Sequence, residues 1–238
     1  MLSDINEEGL EETRRQVAFR EVEVHLRKCN VAERDQVFEL VEAAERELGY
    51  VDFMANNAGV AVGGPFHEIT DEDWRWIVDI NMWGVVYGCQ AVVPGMRARG
   101  RGYILNVASA AGLLNPPKMA PYNLTKAAVI SLSETLSAEY ADEGIKASAL
   151  CPTFFRTSIA ASARGSNDPA DRRKVEKVMD RSRKQAPEVA REAIDGTLAG
   201  VAHIQPMIDG RAMWAAKRAA PERFGGLLRL AARRGLLR

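Results

Sequence analysis

Cysteine and net charge are both scarce in this chain of 238 residues. The three cysteines, Cys29, Cys89 and Cys151, lie far apart and form no CxxC pair, so the sequence predicts neither a disulfide framework nor a zinc site. The three histidines fit no metal site either. Lys plus Arg and Asp plus Glu both number 32, which gives no reason to expect nucleic acid as a partner. We expect a reducing, cytoplasmic location.

Long hydrophobic runs are also missing. The N-terminus is acidic and does not resemble a secretory signal, and no uncharged segment is both long and apolar enough to span a bilayer. The length suffices for one sizeable core. The sequence therefore predicts a soluble protein with a single main domain.

Short apolar runs rich in β-formers alternate with longer segments of helical period, a pattern typical of an α/β fold with a parallel sheet covered by helices. Strands are predicted at 22–26, 51–55, 103–108, 146–150 and 203–208, and helices at 7–17, 32–48, 71–98, 122–142 and 187–199. Residues 160–184 are small, polar and charged, which predicts a mobile insertion. A solvated loop with a surface helix and a substrate lid both fit this composition.

The stretch YNLTK, from Tyr122 to Lys126, carries the most informative chemistry. Residues four apart lie on one helix face, so the phenol and the ammonium can address the same site. A nearby cation favours the phenolate, which predicts a tyrosine able to exchange a proton nearer neutral pH. The alternative is a surface tyrosine that packs on a lysine stem.

Four other pieces of sequence stand in a suggestive order around this pair. Ser109 ends the predicted strand thirteen residues before Tyr122, and the carboxyl ends of parallel strands face the ligand crevice. NNAG (56–59) and CPTFFRT (151–157) each follow a predicted strand, and Asn81 lies within INMWG. Each piece alone could be a turn, a buried polar group or a strand stop, but their common order is hard to assign to chance.

Together these motifs resemble the short-chain dehydrogenase/reductase family from about Leu2 to Gly200. The resemblance implies a Rossmann-like, doubly wound parallel sheet and hydride transfer between NAD(P) and a secondary alcohol or ketone. It implies that Tyr122 is the general acid/base, that Lys126 lowers its pKa and holds the nicotinamide ribose, and that Ser109 orients the substrate carbonyl. Asn81 would maintain a water-linked proton path behind Lys126.

The resemblance also implies which residues bind the cofactor. It places Asn57, Ala58 and Gly59 beside the adenosine half and Asn30 with Val31 near the adenine, while Pro152 and Thr157 would contact the nicotinamide carboxamide. Lys126 and Tyr122 complete this set.

Asp4 ends a short apolar run where the family holds the adenosine ribose. A carboxylate there would accept bonds from the ribose hydroxyls and repel a 2′-phosphate, and no Arg or Lys follows it closely, so we expect NAD rather than NADP. Alternatively, Asp4 caps the helix that begins near Asn6, and both roles can coexist.

The chain departs from the family in lacking the glycine-rich turn TGxxxGxG that cradles the pyrophosphate. Without the first strand and helix, strand 2 would have to close onto strand 4, or two backbone edges would stay exposed. We expect that the chain is truncated and that about 30 upstream residues complete the fold. The alternative is a non-catalytic relative that has lost cofactor binding and acts through oligomer or membrane contacts.

The substrate is expected to be lipophilic, because the segments that border Tyr122 are apolar. The predicted pocket residues, which could equally be core, are Leu113, Leu114, Met119, Phe154 and Phe155. The family resemblance also suggests a homodimer or homotetramer.

The predicted domain ends at residue 210, and a tail from 211 to 238 follows. The tail holds eight Lys or Arg residues, one acidic residue and interleaved leucines. It could lie on an anionic membrane, dock on another subunit, or cover its own domain with a solvated basic face.

Overall fold

The computed structural model describes residues 1–20, 22–165 and 169–233. The strands, all paired in parallel, are β1 (Leu2–Asp4), β2 (Leu26–Lys28), β3 (Phe53–Asn56), β4 (Val62–Gly63), β5 (Gly102–Val107), β6 (Ile145–Leu150), β7 (Arg164–Gly165) and β8 (His203–Ile204). The helices are α1 (Glu7–Val17), α2 (Arg34–Leu48), α3 (Asp71–Val78), α4 (Gly84–Arg99), α5 (Ala110–Leu114), α6 (Ala120–Glu139), α7 (Pro169–Asp180), α8 (Ala186–Ala199), α9 (Ile208–Ala219) and α10 (Pro221–Arg233).

The central sheet has the order β3-β5-β6-β8 and is covered on both faces. On one face, buried residues of α4 and α6 such as Met96 and Val129 pack on Ile104 and Ala147. On the other face, Val189 and neighbouring residues of α8 pack on the sheet. This two-sided burial explains the nearly continuous apolar runs of β5 and β6, and the predicted Rossmann-like α/β fold is confirmed.

A second, two-stranded sheet pairs β1 with β2, Leu2 opposite Leu26 and Asp4 opposite Lys28. The prediction of a strand at 22–26 is wrong in position, because the three-residue β1 offers pairing partners only from Leu26 onward. No ladder joins β1 to β3 among the described strands, so each keeps an unpaired edge. Of the two arrangements expected at this point, the described part of the chain shows exposed edges rather than closure. Contacts between α2 and α4 connect the two sheets.

Three neighbouring side chains, Asn56, Asn106 and Ser133, link the strand ends that lead into the predicted site. Asn56 Nδ2 donates to Asn106 Oδ1 at 2.8 Å, and Asn106 Nδ2 donates to Ser133 Oγ on α6 at 3.0 Å. Gly88 lets α4 approach this network, because a Cβ there would lie 2.0 Å from Asn56 Oδ1. The bonds hold β3, β5 and α6 in a fixed relation, since a buried polar group must keep its partners.

Between α3 and α4 the chain continues through a π-helical turn, Asp79–Trp83, so the predicted single helix is interrupted. We call the continuous helical segment Asp71–Arg99 the rod. By length and composition alone, it is a candidate membrane span among the described residues, and sequence reasoning missed this candidate. Val85, Val92 and Met96 of this rod pack in the core against the sheet. Core helices of soluble proteins have the same composition, so it is weak evidence of a membrane span.

The described part of the 160–184 insertion is more regular than expected. It contains β7, which pairs with β4, and α7, while residues 166–168 lie outside the described residues. In the predicted tail, α9 begins at Ile208. The predicted boundary after residue 210 therefore falls inside a helix. The last five tail residues, 234–238, also lie outside the described part of the chain.

Candidate active site

Tyr122 and Lys126 lie on one face of α6 and are both buried. Their side chains are 9% and 2% exposed, and the Lys126 Nζ lies 5.7 Å from the centroid of the Tyr122 ring. Pro121 lies in the first turn of the helix, where a proline costs no hydrogen bond. The predicted pair is therefore a buried juxtaposition and not a surface tyrosine packed on a lysine stem.

Ser109 follows β5 and caps α5, its Oγ accepting a hydrogen bond from the Ala111 N–H at 3.1 Å. Burial raises the pKa of Tyr122, and a hydrogen bond with Ser109 partly opposes the shift. The net shift is opposite to the lowering expected from Lys126, because burial removes the phenolate from water.

Lys126 is held by the strand that it faces. Its Nζ donates to the Val107 carbonyl at 2.7 Å. Burial lowers the pKa of Lys126 to about 8, an effect that the neighbouring Cys151 opposes. The ammonium therefore remains mostly protonated at neutral pH, and a positive charge lies beside the phenol.

Asn81 lies in the π-helical turn and is completely buried. Its Oδ1 accepts from the Val60 N–H at 2.8 Å, while its Nδ2 donates to the Val60 carbonyl at 2.9 Å and to Thr125 Oγ1 at 3.4 Å. The amide thus pairs with the backbone just after NNAG and ties it to α6. Sequence reasoning missed Val60, a backbone partner, and Thr125, a hydroxyl partner 44 residues away along the chain, since nothing local marks either contact. The water-linked proton path stays a prediction.

The NNAG segment reaches the lysine through its glycine. A Cβ on Gly59 would lie 3.3 Å from Lys126 Nζ and 3.4 Å from Asn81 Oδ1, so the backbone passes closer than a side chain would comfortably allow. Asn57 and Ala58 are exposed beside it. Of these three predicted cofactor-binding residues, Gly59 is the one that the structure places against Lys126.

The tyrosine lies in an apolar cluster built around Val62 and Ile77. Partly buried Trp76, Met119 and Ile159 pack against it. Of the five predicted pocket residues, Met119 is the one that joins this cluster.

Two of the predicted pocket residues are partly buried and pack against the core clusters, so their pocket roles stay predictions. Leu113 packs against the main core between the sheet and α6, and Phe155 packs against the core under α8. Phe154 is 47% exposed and Leu114 is half-buried. Because an apolar side chain can line a pocket or pack on a core, the hydrophobicity of these segments did not predict which residues lie beside Tyr122.

The segment after β6 approaches Ser109. The Pro152 carbonyl accepts a hydrogen bond from the Ala110 N–H at 2.9 Å. Thr157 caps the short helix Ser158–Ala160, its Oγ1 accepting from the Ile159 N–H at 3.3 Å. This geometry brings Pro152 beside the turn that begins at Ser109, while the carboxamide contacts of Pro152 and Thr157 stay predictions.

Arg164 anchors the segment that follows β6 to residues near Tyr122. Its N–H donates to the Ala61 carbonyl at 3.0 Å, and its guanidinium lies 4.0 Å from the centroid of the Trp76 ring. It also lies near the carboxylates of Glu72 and Asp73, at 3.5 and 3.9 Å. Sequence reasoning missed this anchor, which holds Ile159 and its neighbours close to Tyr122.

The predicted adenosine-side residues gather at the ends of β1 and β2. Asp4 Oδ1 accepts from the Asn6 N–H at 2.9 Å, and Asn6 itself caps α1. Asp4 therefore supports the capping turn without being the cap. The structure also brings Lys28 beside Asp4 in the ladder, although its Nζ donates to Glu7 Oε2 at 2.9 Å. No Arg or Lys follows Asp4 closely in the sequence, but in the folded protein Lys28 is its neighbour on the adjacent strand.

The other two predicted adenine contacts form the turn after β2. Asn30 Oδ1 accepts from the Ala32 N–H at 3.1 Å. Val31 packs on α4, where a Cβ on Gly84 would lie 2.9 Å from Val31 Cγ2. This contact fixes the turn relative to the rod that carries Asn81.

These residues fit the two ends of NAD(P) separately. The buried ammonium of Lys126 and the close backbone of Gly59 form a cradle suited to a ribose, and the exposed carboxylate of Asp4 suits the hydroxyls of the other ribose. The sequence has no TGxxxGxG turn for the diphosphate. Among the described residues, no group of three or more His, Cys, Asp or Glu side chains could hold a metal ion.

Helix α9 contacts both segments that border the tyrosine. Lys217 Nζ donates to the Leu113 carbonyl at 2.6 Å at one end. Near its other end, Thr153 Oγ1 donates to the Asp209 carboxylate at 3.2 Å. Part of the predicted tail thus belongs structurally to the site, which sequence reasoning missed because basic residues in a terminal segment predict a solvated face.

Replacing Lys217 with methionine is expected to loosen α5, because a charged hydrogen bond to a backbone carbonyl contributes about 1.5–3 kcal/mol. Amides of residues 110–119 should exchange with solvent at least about tenfold faster in the variant. Arg211→Met, which removes an exposed charge from the same helix, is the matched control. Equal exchange in both variants would contradict the role of Lys217.

The chain is similar to known proteins in both sequence and structure. Residues 1–168 match the family described as short chain dehydrogenase. The chain is 36% identical over 144 residues to the oxidoreductase UcpA of Escherichia coli K12, an alignment that covers 60% of this chain and 55% of that protein. It spans about six-tenths of the length of the curated relatives that it matches.

Two solved structures extend the similarity. A short-chain dehydrogenase/reductase from Burkholderia phymatum in complex with NAD superposes with a TM-score of 0.86 at 30% identity, covering 93% of this chain and 84% of that chain. A gluconate 5-dehydrogenase from Burkholderia cenocepacia, in complex with NADP and tartrate, gives a TM-score of 0.68 at 26% identity, with coverages of 86% and 82%. The fold and the matched motifs together show that the chain belongs to the short-chain dehydrogenase family.

Proposed function

We propose that the protein transfers hydride between NAD and a lipophilic secondary alcohol or ketone, with Tyr122 as general acid/base. The observation that carries the proposal is the convergence of Tyr122 and Ser109 beside the buried ammonium of Lys126. A phenol and a hydroxyl next to a cation can bind a carbonyl oxygen and transfer its proton.

NAD supplies or accepts the hydride when it is bound. The raised pKa keeps Tyr122 protonated at neutral pH, the form that donates a proton to a carbonyl oxygen during reduction. Ser109 orients that oxygen toward Oη. The Lys126 ammonium stabilises the phenolate left behind, because two opposite charges interact strongly where water is excluded. Oxidation of an alcohol reverses the proton transfer.

The nicotinamide end of NAD would lie at the Tyr122 and Lys126 site, and the adenosine end would lie at the ends of β1 and β2. Lys126 would hold the nicotinamide ribose, and Pro152 and Thr157 would contact the nicotinamide carboxamide. The backbone of residues 57–59 would pack beside the adenosine half. Asp4 would accept bonds from the adenosine ribose, with Asn30 and Val31 at the adenine.

Asp4→Asn tests the cofactor preference without breaking the local fold. The amide oxygen can still accept from the Asn6 N–H, while the negative charge that opposes a 2′-phosphate is lost. The ratio of kcat/KM for NAD over NADP is expected to fall by about tenfold, since unit charges ~5 Å apart at a protein surface interact by about 1–2 kcal/mol. An unchanged ratio would remove Asp4 from the cofactor site.

The function is tested by following NADH oxidation with a panel of apolar ketones and polyol-like ketones. Turnover of apolar members is expected, because Tyr122 lies among Val62, Ile77 and Met119. Activity confined to the polyol-like members would overturn the substrate class. A folded chain that turns over none of them would overturn the activity.

The second candidate is a non-catalytic relative. The observation that favours it is the unpaired edges of β1 and β3 in the described sheets. Calorimetric titration with NAD separates the two functions: saturable binding supports the enzyme, and no heat from a folded chain supports the alternative.

A further inference from the structure

Helix α10 divides its apolar residues between two faces. Phe224, Leu228 and Ala231 are half-buried, as expected of the face that packs on α9. Leu227 and Leu230 are 64% and 44% exposed, and no residue of α10 is fully buried. The helix therefore presents leucines to solvent after its contact with the protein is made.

Basic side chains accompany these leucines. Arg223 shares their face, at the i, i+4, i+7 spacing of 223, 227 and 230. Arg229 and Arg233 are exposed on the adjoining side. From 208 to 233 there are six basic and two acidic residues, a net charge of +4 in a chain whose total is zero. One of the two acids, Asp209, is bonded to Thr153.

We propose that the α9–α10 hairpin docks this face on an anionic lipid surface. Leu227 and Leu230 enter the boundary between headgroups and acyl chains, and Arg223, Arg229 and Arg233 pair with lipid phosphates. Long arginine side chains can keep their charge at the phosphates while the leucines lie deeper. Anionic headgroups provide the negative charge that the hairpin lacks.

A second copy of the chain fits the same face poorly. A two-fold interface brings the same patch of both subunits together, which would place Arg223 and its neighbours against themselves. The cores of protein interfaces are depleted of charged residues, and like charges opposed across an interface weaken it. The charge pattern therefore favours lipid over self-association.

The test is co-sedimentation of the full chain with phosphatidylcholine vesicles, with or without phosphatidylglycerol. Binding is expected to be at least tenfold stronger with phosphatidylglycerol, and to fall as ionic strength approaches about 1 M, where the Debye length is about 3 Å. The double variant Leu227→Ser/Leu230→Ser should bind at least about tenfold more weakly. Arg229→Gln/Arg233→Gln should lose about fivefold per arginine.

Matched controls come from the rest of the chain. Leu198 on α8 is 44% exposed, as Leu230 is, so Leu198→Ser controls for the loss of an exposed leucine. Arg46→Gln/Arg75→Gln removes two exposed charges elsewhere. Both controls should bind like the unaltered chain, and circular dichroism verifies that every variant is folded.

Three results would overturn the proposal. The first is equal sedimentation with and without phosphatidylglycerol, and the second is equal loss in the controls and the α10 variants. The third is a concentration-dependent dimer that the leucine variants abolish without any vesicle binding, which would assign the face to a second copy. None of these readouts depends on enzymatic activity.

Discussion

Tyr122→Phe is expected to lower kcat for ketone reduction by about 10³-fold, because the substitution removes the proton donor and leaves the ring in place. The phenyl group still fills the apolar cluster around Val62 and Ile77. Loss of one buried hydroxyl costs about 1 kcal/mol of stability, so the variant should remain folded.

The control for this variant is Tyr140→Phe, which removes the hydroxyl of the tyrosine that follows α6. Steady-state rates with NADH are measured alongside thermal unfolding. A Tyr122→Phe enzyme that keeps more than a tenth of the original kcat would refute the assignment of the general acid/base.

Lys126→Met is expected to lower kcat by about 10²-fold while raising the free energy of unfolding near neutral pH. The catalytic loss follows from removal of the charge that stabilises the phenolate. The gain in stability follows because burying the charged ammonium destabilises the folded state, as shown by the lowering of the Lys126 pKa from 10.5 to about 8. Methionine removes this opposition, although it leaves the Val107 carbonyl without its donor.

The pH dependence distinguishes this cause from a packing effect. Between pH 8 and 10.5 the unfolded chain binds a proton at Lys126 that the folded chain has released, so the stability of the unaltered protein rises with pH in this window. The stability advantage of Lys126→Met should therefore shrink by about 2 kcal/mol between pH ~7 and ~9.5, as urea titrations can measure. A constant difference at both pH values would contradict the buried charge.

Periodicity predicted most secondary structure because local pattern and tertiary packing agree in the core. Helix α1 has the predicted bounds, and β5 and β6 begin one residue before the predicted positions. The predicted position of β2 was wrong. Val22 and Val24 favoured a strand, but β1 begins at Leu2, which lies opposite Leu26, so the ladder begins at Leu26. Strand ends depend on what lies alongside, which a local pattern does not contain.

In the candidate site, too, residue type and spacing predicted the reactive groups but not the side chains that pack around them. Residue type and spacing were enough to single out Tyr122, Lys126, Ser109 and Asn81, which the fold places around the ends of β3 and β5. Leu113 and Phe155 pack against the core clusters, and their pocket roles stay predictions, because an apolar side chain suits a core and a pocket equally well. Lys217 could not be found at all, since its partner is a backbone carbonyl distant in sequence.

By itself, the sequence determined the family, the α/β class and the order of chemical groups along the chain, because these depend on residue identity and spacing. The tertiary structure alone decided the direction of the Tyr122 pKa shift, the proximity of Lys28 to Asp4 and the docking of α9 on α5. Each of these depends on which groups are removed from water and which distant segments meet. Such quantities arise from burial and contact in three dimensions, and no local stretch of sequence specifies them.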